Sequence, residues 1–455
     1  DLADWERLVP HLQGEMQFVA DELLASGKRV LGFSVYSPNR RFTIEVLKKI
    51  KQADPARVTI VGGRGVQTIE ERLLFPPDAV DYFVVGEGEQ TMRELLAAIF
   101  AQQDAAALPG VVRFDGHHLT PLAPRELIDD LAALPPPTFN GFALPQYRTN
   151  ELPILASRGC TGHCTFCNDH PAMGRFRPRP GRLVAEEMLA HAQRLGVRRF
   201  RFNDQLINGD LAMLAEMCDA LIAADARVEW IALAAPRGDM PDELLHKMRR
   251  AGCYTLNIGV ESGSDAVLKK MAKGYRRDDI ERALQQIRAA GINTMINFIV
   301  GFPGESEDDF AQTLAFVRRN REHICGVTSI NTCLLLLGSP LAAHREQLGI
   351  AVPPGADADT GWETADNNPA VRQDRARRLL ALLHELELPI CVSNLHEKTA
   401  DVAALTEKKD DASGAPPDRR IGGGGQKKSL PYYESIEKRD VDVLLIMPPV
   451  WGTNV

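Results

Sequence analysis

Hydrophobic residues along this chain fall into short runs of strand length, separated by stretches with helical spacing. Residues 29–36 (Arg-Val-Leu-Gly-Phe-Ser-Val-Tyr) and 58–63 (Val-Thr-Ile-Val-Gly-Gly) are two such runs, with a helical pattern over 43–52 between them. A third run, 82–85, stops at Gly86-Glu-Gly-Glu89 and leads into a helix ending near residue 100. Strand and helix alternating at this spacing predict a Rossmann-like, doubly wound parallel sheet. Such sheets bind ligands at the carboxyl ends of their strands. Ser34, Tyr36, Ser37, Gly62, Gly63 and the Gly86-Glu87-Gly88 loop fall there.

From 104 to 150 the chain is rich in proline and turn residues, including Pro135-Pro-Pro137, which suits a connector. A second alternation begins at Leu152, with candidate strands at 152–156, 199–203, 228–233, 255–259, 294–301 and 327–336. Six units exceed a Rossmann half and fall short of an eightfold barrel. The expectation is an open, partial (β/α)6 barrel of the TIM type, with its chemistry at the carboxyl ends of the strands. Residues 368–398 read as helix, and 406–430 as a charged, glycine-rich linker without a core-forming pattern.

Beyond that linker, Val441-Asp-Val-Leu-Leu-Ile-Met-Pro-Pro-Val-Trp451 has the form of an opening strand with a Pro-Pro turn, yet it stands near the far end of the sequence. We expect it to return to the N-terminal sheet, as in a circularly permuted chain; an unrelated edge strand is the alternative. The division expected is a first α/β domain over 1–120 completed by 438–455, a connector over 121–150, the barrel over 151–340, a helical region over 341–400 and a flexible linker over 401–437.

Composition narrows the classes. Lys plus Arg number 53 against 61 Asp plus Glu, a net charge of −8, which argues against a chain that coats nucleic acid. The longest apolar runs, 295–302 and 334–337, are far short of the roughly 20 residues a membrane helix needs. The opening Asp-Leu-Ala-Asp-Trp-Glu has no basic segment before an apolar core, so no secretory signal is expected. Eight cysteines, three of them within residues 160–167, do not suggest a disulfide framework, and the expected setting is a reducing cytoplasm.

The candidate chemistry lies in Ser157-Arg-Gly-Cys160-Thr-Gly-His-Cys164-Thr-Phe-Cys167, directly after the strand ending near Ala156. Three thiolates in one short loop can converge on a face of an iron–sulfur cube and leave one iron open. The alternative is a structural zinc site with His163 or His170 as fourth ligand. The remaining cysteines show no paired spacing. Cys218, Cys253 and Cys391 read as core, while Cys325 and Cys333 lie near the sixth strand, where they could face the site.

The triplet closely resembles the CxxxCxxC signature of the radical S-adenosylmethionine (SAM) superfamily, and the resemblance continues in order from Cys160 to Leu341. It implies a [4Fe-4S] cluster on Cys160, Cys164 and Cys167. It implies SAM contacts from Phe166 near the adenine, Asn203 and Asp204 near the amino end, Arg237, Gly259-Val-Glu261-Ser262-Gly263, and Gly301-Phe-Pro303-Gly-Glu305. Taken singly, Asp204 could be a helix cap, Glu261 and Arg237 solvated charges, and 301–305 a turn. Their chemistry is consistent with the implied roles: Glu261 can accept from ribose hydroxyls, and Arg237 or Asn203 can hold a carboxylate or other polar group.

The N-terminal part resembles the cobalamin-binding domain that accompanies one large class of these enzymes. The carrying residues are Gly32-Phe-Ser34-Val-Tyr36, Val61-Gly-Gly63, Val85-Gly-Glu-Gly-Glu89, Leu108-Pro-Gly-Val111 and the displaced segment with Pro448, Pro449 and Trp451. No Asp-x-His-x-x-Gly occurs here, so a bound cobalamin is expected without a protein histidine beneath cobalt. The resemblance implies reductive cleavage of SAM to a 5′-deoxyadenosyl radical and transfer of a methyl group through methylcobalamin to an unactivated carbon. A cyclase, oxidase or rearrangement enzyme without methyl transfer, and a non-catalytic zinc protein, are the alternatives. The partners implied are a small-molecule or natural-product substrate and a reductant such as flavodoxin or ferredoxin.

Overall fold

The computed structural model describes residues 2–140, 142, 144, 150–169, 173–390 and 443–446. Its first sheet runs in the order Val443–Ile446, Val30–Ser34, Val58–Gly62, Tyr82–Val84, Val111–Val112. The first four strands are parallel and the last is antiparallel. Val30 stands opposite Val443 and Phe33 opposite Ile446, so the displaced segment is a strand of the N-terminal sheet. Val30, Leu31 and Phe33 are all buried, as a strand covered on both faces should be, and such a strand needs a neighbour on each side.

Adjacent residues of these strands feed opposite faces. Leu31, Phe33 and Val61 pack with Met16, Leu23, Val46 and Ile50 from the helices Leu2–Ala25 and Arg40–Ala53. Val30, Ile60 and Val84 pack with Leu95 and Ile99 from the helix Gly88–Phe100. The helix Leu2–Ala25 was not legible in the hydrophobic pattern. It contains Pro10, which sequence reasoning treats as a helix breaker.

The second sheet has six strands in chain order: Glu151–Ile154, Arg199–Phe202, Glu229–Ala234, Cys253–Glu261, Asn293–Val300 and Gly326–Thr332. All pairings are parallel, and the first and last strands do not pair with each other, so the barrel is partial and open. Helices follow the strands and bury one apolar face each, as Val184 and Met188 do from Gly181–Leu195 and Ile280, Leu284 and Ile287 from Arg277–Ala289.

The last helix, Pro369–Glu385, is shorter than the 368–398 expected. Pro389 biases the residue before it away from helical backbone, and Ile390 already bridges to Val327 of the last strand. Residues 391–398, the linker 401–437, His170, Cys391, Pro448, Pro449 and Trp451 lie outside the described residues. Among the described residues no helix is long and apolar enough to cross a membrane.

The loops at the carboxyl ends of the two sheets meet. Arg64, just after the strand Val58–Gly62, forms an ion pair with Asp169. Glu87, just after Tyr82–Val84, pairs with Arg158 and Arg177, and Glu89 also reaches Arg158.

Candidate functional site

The cysteine loop is pinned at its base. Ser157–Arg158 pairs antiparallel with Arg177–Pro178, so residues 159–176 form one excursion closed by a two-stranded clip. Gly159 turns into it at φ 77°, and a Cβ there would lie 2.4 Å from the Arg175 carbonyl oxygen, so no larger residue fits. Asp204 ties the clip to the next strand. Its carboxylate accepts from the Ala156 N–H at 3.1 and 3.0 Å and from the Ser157 hydroxyl at 2.6 Å. Full burial pushes its carboxyl up to about 6 despite those hydrogen bonds.

Within the loop all three cysteines are half-buried, and none is in a disulfide among the described residues. The Gly162 N–H donates to Cys160 Sγ at 3.3 Å and the Asp169 N–H to Cys167 Sγ at 3.4 Å. The sulfurs of Cys160 and Cys164 flank Gly162, 3.5 and 3.7 Å from where a Cβ would stand. Backbone donors aimed at sulfur stabilise thiolates and thiolate-bound clusters, so this donor set fits an iron–sulfur cube. Among the described residues no group of three His, Cys, Asp or Glu side chains is gathered closely enough to hold a metal ion.

Beside Cys164 lies a buried polar group. Lys273 Nζ bonds Glu261 Oε1 at 3.0 Å, with the two side chains only 9% and 6% exposed. Asn297 Nδ2 donates to the other Glu261 oxygen at 2.9 Å, and the Tyr275 hydroxyl donates to the Gly259 carbonyl. The Lys273 ammonium stands 5.1 Å from the centre of the Phe166 ring and 5.6 Å from that of Tyr275. Glu261 occupies a register shift between its strand and the next, at φ 62°, which re-aims its side chain. Burial raises the Cys164 thiol above its ordinary value, and Lys273 acts against that rise. Burial also opposes charge on Lys273, but Glu261 holds the ammonium well above its usual value.

The other predicted SAM contacts are less free than the sequence suggested. Arg237 grips Asp239 through two bonds, 2.8 and 2.7 Å, and donates to the Asn208 carbonyl at 2.7 Å. Asn203 is exposed at the end of its strand, whereas Ser262 and Pro303 are buried. Ser262 shares a hydroxyl contact with Thr313 at 3.2 Å. Gly263 is required by packing, since a Cβ would lie 2.7 Å from Phe316 Cβ, and Gly301 faces Arg372 in the same way at 2.3 Å.

At the first sheet, Tyr36, Ser37 and Gly86 are exposed and Ser34, Gly62, Gly63 and Gly88 half-buried. Gly63 adopts φ 94° with a Cβ position 2.8 Å from the Val35 carbonyl oxygen, leaving bare backbone at the sheet edge. Glu87 is different. Both its oxygens are occupied by Arg177, Arg158 and the Ile128 N–H.

Residues 154–317 match the Radical SAM superfamily, and residues 11–96 match the B12 binding domain. The chain carries a radical SAM domain and a B12 binding domain. It is 23% identical over 278 residues to an uncharacterized methyltransferase of Pyrococcus horikoshii, covering 60% of each chain. It is 33% identical over 199 residues to bacteriochlorophyllide d C-12(1)-methyltransferase of Chlorobaculum tepidum, covering 42% of this chain and 43% of the other. The chain thus spans about half the length of these curated relatives. The structure of the radical SAM methyltransferase TsrM from Kitasatospora setae, with cobalamin and a [4Fe-4S] cluster bound, shares the fold at a TM-score of 0.66 and 18% identity. That match covers 86% of this chain and 85% of the other.

Sequence reasoning missed Lys273, Tyr275 and Asn297 in the radical SAM domain. Lys273-Gly-Tyr275 follows a short helix, Asp265–Lys270, and looks like surface punctuation in the sequence. The available signal was its distance of 12 residues from Glu261, enough for the chain to turn and bring a charge back to the strand end. Cys333 is buried against Trp362, with burial pushing its thiol up to about 12, and Cys325 precedes the amino end of Gly326–Thr332, away from the cysteine loop. Cys218 and Cys253 are core, as read from the sequence.

Proposed function

We propose that this chain is a cobalamin-dependent radical SAM enzyme that methylates an unactivated carbon of a small-molecule or natural-product substrate. The observation that carries the reading is the meeting of two ligand-bearing edges. The carboxyl ends of the B12 binding sheet face the cysteine loop, joined through Arg64–Asp169 and through Glu87 with Arg158 and Arg177.

Cys160, Cys164 and Cys167 would hold the [4Fe-4S] cluster. Phe166, Asn203, Asp204, Arg237, Glu261, Ser262, Gly263, Gly301 and Pro303 mark the SAM side, with Asp204, Gly263 and Gly301 acting through positioning of the backbone. Ser34, Tyr36, Ser37, Gly62, Gly63, Gly86, Glu87 and Gly88 mark the cobalamin side, completed by the segment carrying Pro448, Pro449 and Trp451. When bound, these groups supply one-electron cleavage of SAM and a methyl carrier, chemistry that no side chain can perform. The chain's own contribution is placement. The clip at 157–158 and 177–178 fixes the cysteine loop, backbone N–H groups steady the sulfurs, and the inter-domain ion pairs hold one ligand edge over the other. A low-potential donor such as flavodoxin or ferredoxin, and a reducing cytoplasm, follow from that chemistry.

Anaerobic reconstitution with iron, sulfide and hydroxocobalamin tests the proposal. The expected result is a brown protein with bound corrinoid, whose iron is lost on Cys164→Ala, and a product that takes label from methyl-labelled SAM. A colourless chain holding one zinc ion would refute it. A loaded enzyme whose product gains no label would move the reading to a cyclase, oxidase or rearrangement.

A further inference from the structure

We infer that Lys273 is a positioning residue that sets how readily the three-cysteine cluster accepts an electron, by holding a fixed positive charge against the cysteine loop at Phe166. The inference rests on the reading that Cys160, Cys164 and Cys167 carry that cluster. Lys273 is far from an ordinary surface lysine. Its ammonium is buried, ion-paired to Glu261 at 3.0 Å, and boxed between the rings of Phe166 and Tyr275. The turn that carries it is bound to the loop beside Cys164, where the Thr165 N–H and hydroxyl donate to the carbonyls of Met271 and Lys270 at 3.0 and 3.2 Å.

Two further features show that the fold constrains this ion pair. Glu261 and Ala272, both non-glycine residues, occupy left-handed backbone at φ 62° and 56°. Such outliers persist only where the surroundings over-determine them, and they concentrate at functional sites. Asn297 donates to the Glu261 oxygen that Lys273 leaves free, so the carboxylate cannot swing to follow a mobile lysine.

The electrostatic consequence has a definite sign. Reduction adds one negative charge to a cluster already surrounded by thiolates. A nearby fixed cation stabilises that added charge, and a donor to a ligand sulfur does the same. Lys273 therefore makes the cluster easier to reduce, and Glu261 offsets part of that effect while fixing where the cation stands.

The test uses the full chain, reconstituted without oxygen, as wild type, Lys273→Arg, Lys273→Met, and Lys273→Met combined with Glu261→Gln. Iron and sulfide per chain are measured first. The cluster is then titrated with a low-potential one-electron reductant and followed by electron paramagnetic resonance, without SAM. The expected change for Lys273→Met is a reduction equilibrium about tenfold less favourable, a midpoint about 59 mV lower for a one-electron couple. The double variant shifts in the same direction by less, and Lys273→Arg stays near wild type.

Cluster-replete Lys273→Met and double variants that titrate with the wild type would overturn the inference. If Lys273→Met alone loses the cluster, the double variant decides, since it leaves no unpaired buried carboxylate. Loss of the cluster from both, with Lys273→Arg retaining it, also counts against the inference, because Lys273 would then be a scaffold residue. A wild-type chain that takes up no iron refutes the cluster reading itself, and is separated from these outcomes by the first measurement.

Discussion

The Glu87 carboxylate ties the B12 binding domain to the radical SAM domain. It accepts from Arg177 at 3.0 and 2.9 Å, from Arg158 at 3.0 Å and from the Ile128 N–H at 2.7 Å. Replacing Glu87 by Ala removes all four bonds and leaves the almost fully buried Arg177 guanidinium without its anion. Breaking one partner of a buried pair costs about 3–5 kcal/mol. Arg177 keeps the Ile128 carbonyl at 2.6 Å and the Met173 carbonyl at 3.2 Å, which places the loss at the lower end, about 3 kcal/mol. That is roughly a hundredfold in an equilibrium constant.

Because the contact spans two domains, the loss falls on their closure before it reaches either core. Hydrogen exchange read by mass spectrometry should show the amides of 126–131 and 157–160 exchanging faster by up to about two orders of magnitude in Glu87→Ala. The strands Val30–Ser34 and Val58–Gly62 should be unchanged. Burial works against the Glu87 carboxylate, but Arg177, the Ile128 N–H and Arg158 hold its pKa below the ordinary value. Its contribution is therefore present above the unfolded carboxylate range and is lost as pH falls through the lowered folded value, so wild type and variant should converge in acid. Unchanged exchange in Glu87→Ala refutes this account. Intact protection combined with weakened cobalamin binding would instead make Glu87 a ligand contact.

Two other outcomes follow from the geometry. In Gly263→Ala the new Cβ would meet Phe316 Cβ at 2.7 Å and Thr313 Cα at 2.8 Å, so the helix Glu307–Arg319 must shift. The expected cost is about 1–3 kcal/mol, read as a lower denaturant midpoint, and a midpoint equal to wild type would sink the packing explanation. Asp204 has a folded pKa of about 6, raised by burial from 3.8, so the folded state binds the extra proton between these values. Its ionised form costs stability above pH 6, and that cost, about 3 kcal/mol, fades as pH falls toward 4. Denaturation curves across this range for wild type and Asp204→Asn should differ in slope with pH; parallel profiles would exclude the effect.

The alternating strands and helices were legible because each is encoded locally, by a period of two or near four in the hydrophobic residues. Even the Val443–Ile446 strand announced itself as an opening strand out of place, through its apolar run and Pro-Pro turn. The helix Leu2–Ala25 was missed because Pro10 masks its period. The helix after Pro369 was overextended because the effect of Pro389 on the residues before it was not weighed. At the candidate site, the three cysteines stood out by their spacing, but the roles of the glycines were only half readable. Gly263 and Gly301 look like ligand-approach positions in the sequence, and in the fold they are demanded by Phe316, Thr313 and Arg372.

By itself, the sequence determined which thiols the candidate loop gathers and the class of both sheets, since cysteine spacing and hydrophobic period are properties of neighbouring residues. Only the tertiary structure decided which charges meet. That Glu87 finds Arg177 90 residues away, that Lys273 turns back onto Glu261 and the Phe166 ring, and that the strand Val443–Ile446 joins the N-terminal sheet all depend on how strand ends converge in space. Burial then gives those meetings their strength, because a charge removed from water is governed by the few groups it touches, and no local pattern in the chain specifies which groups those are.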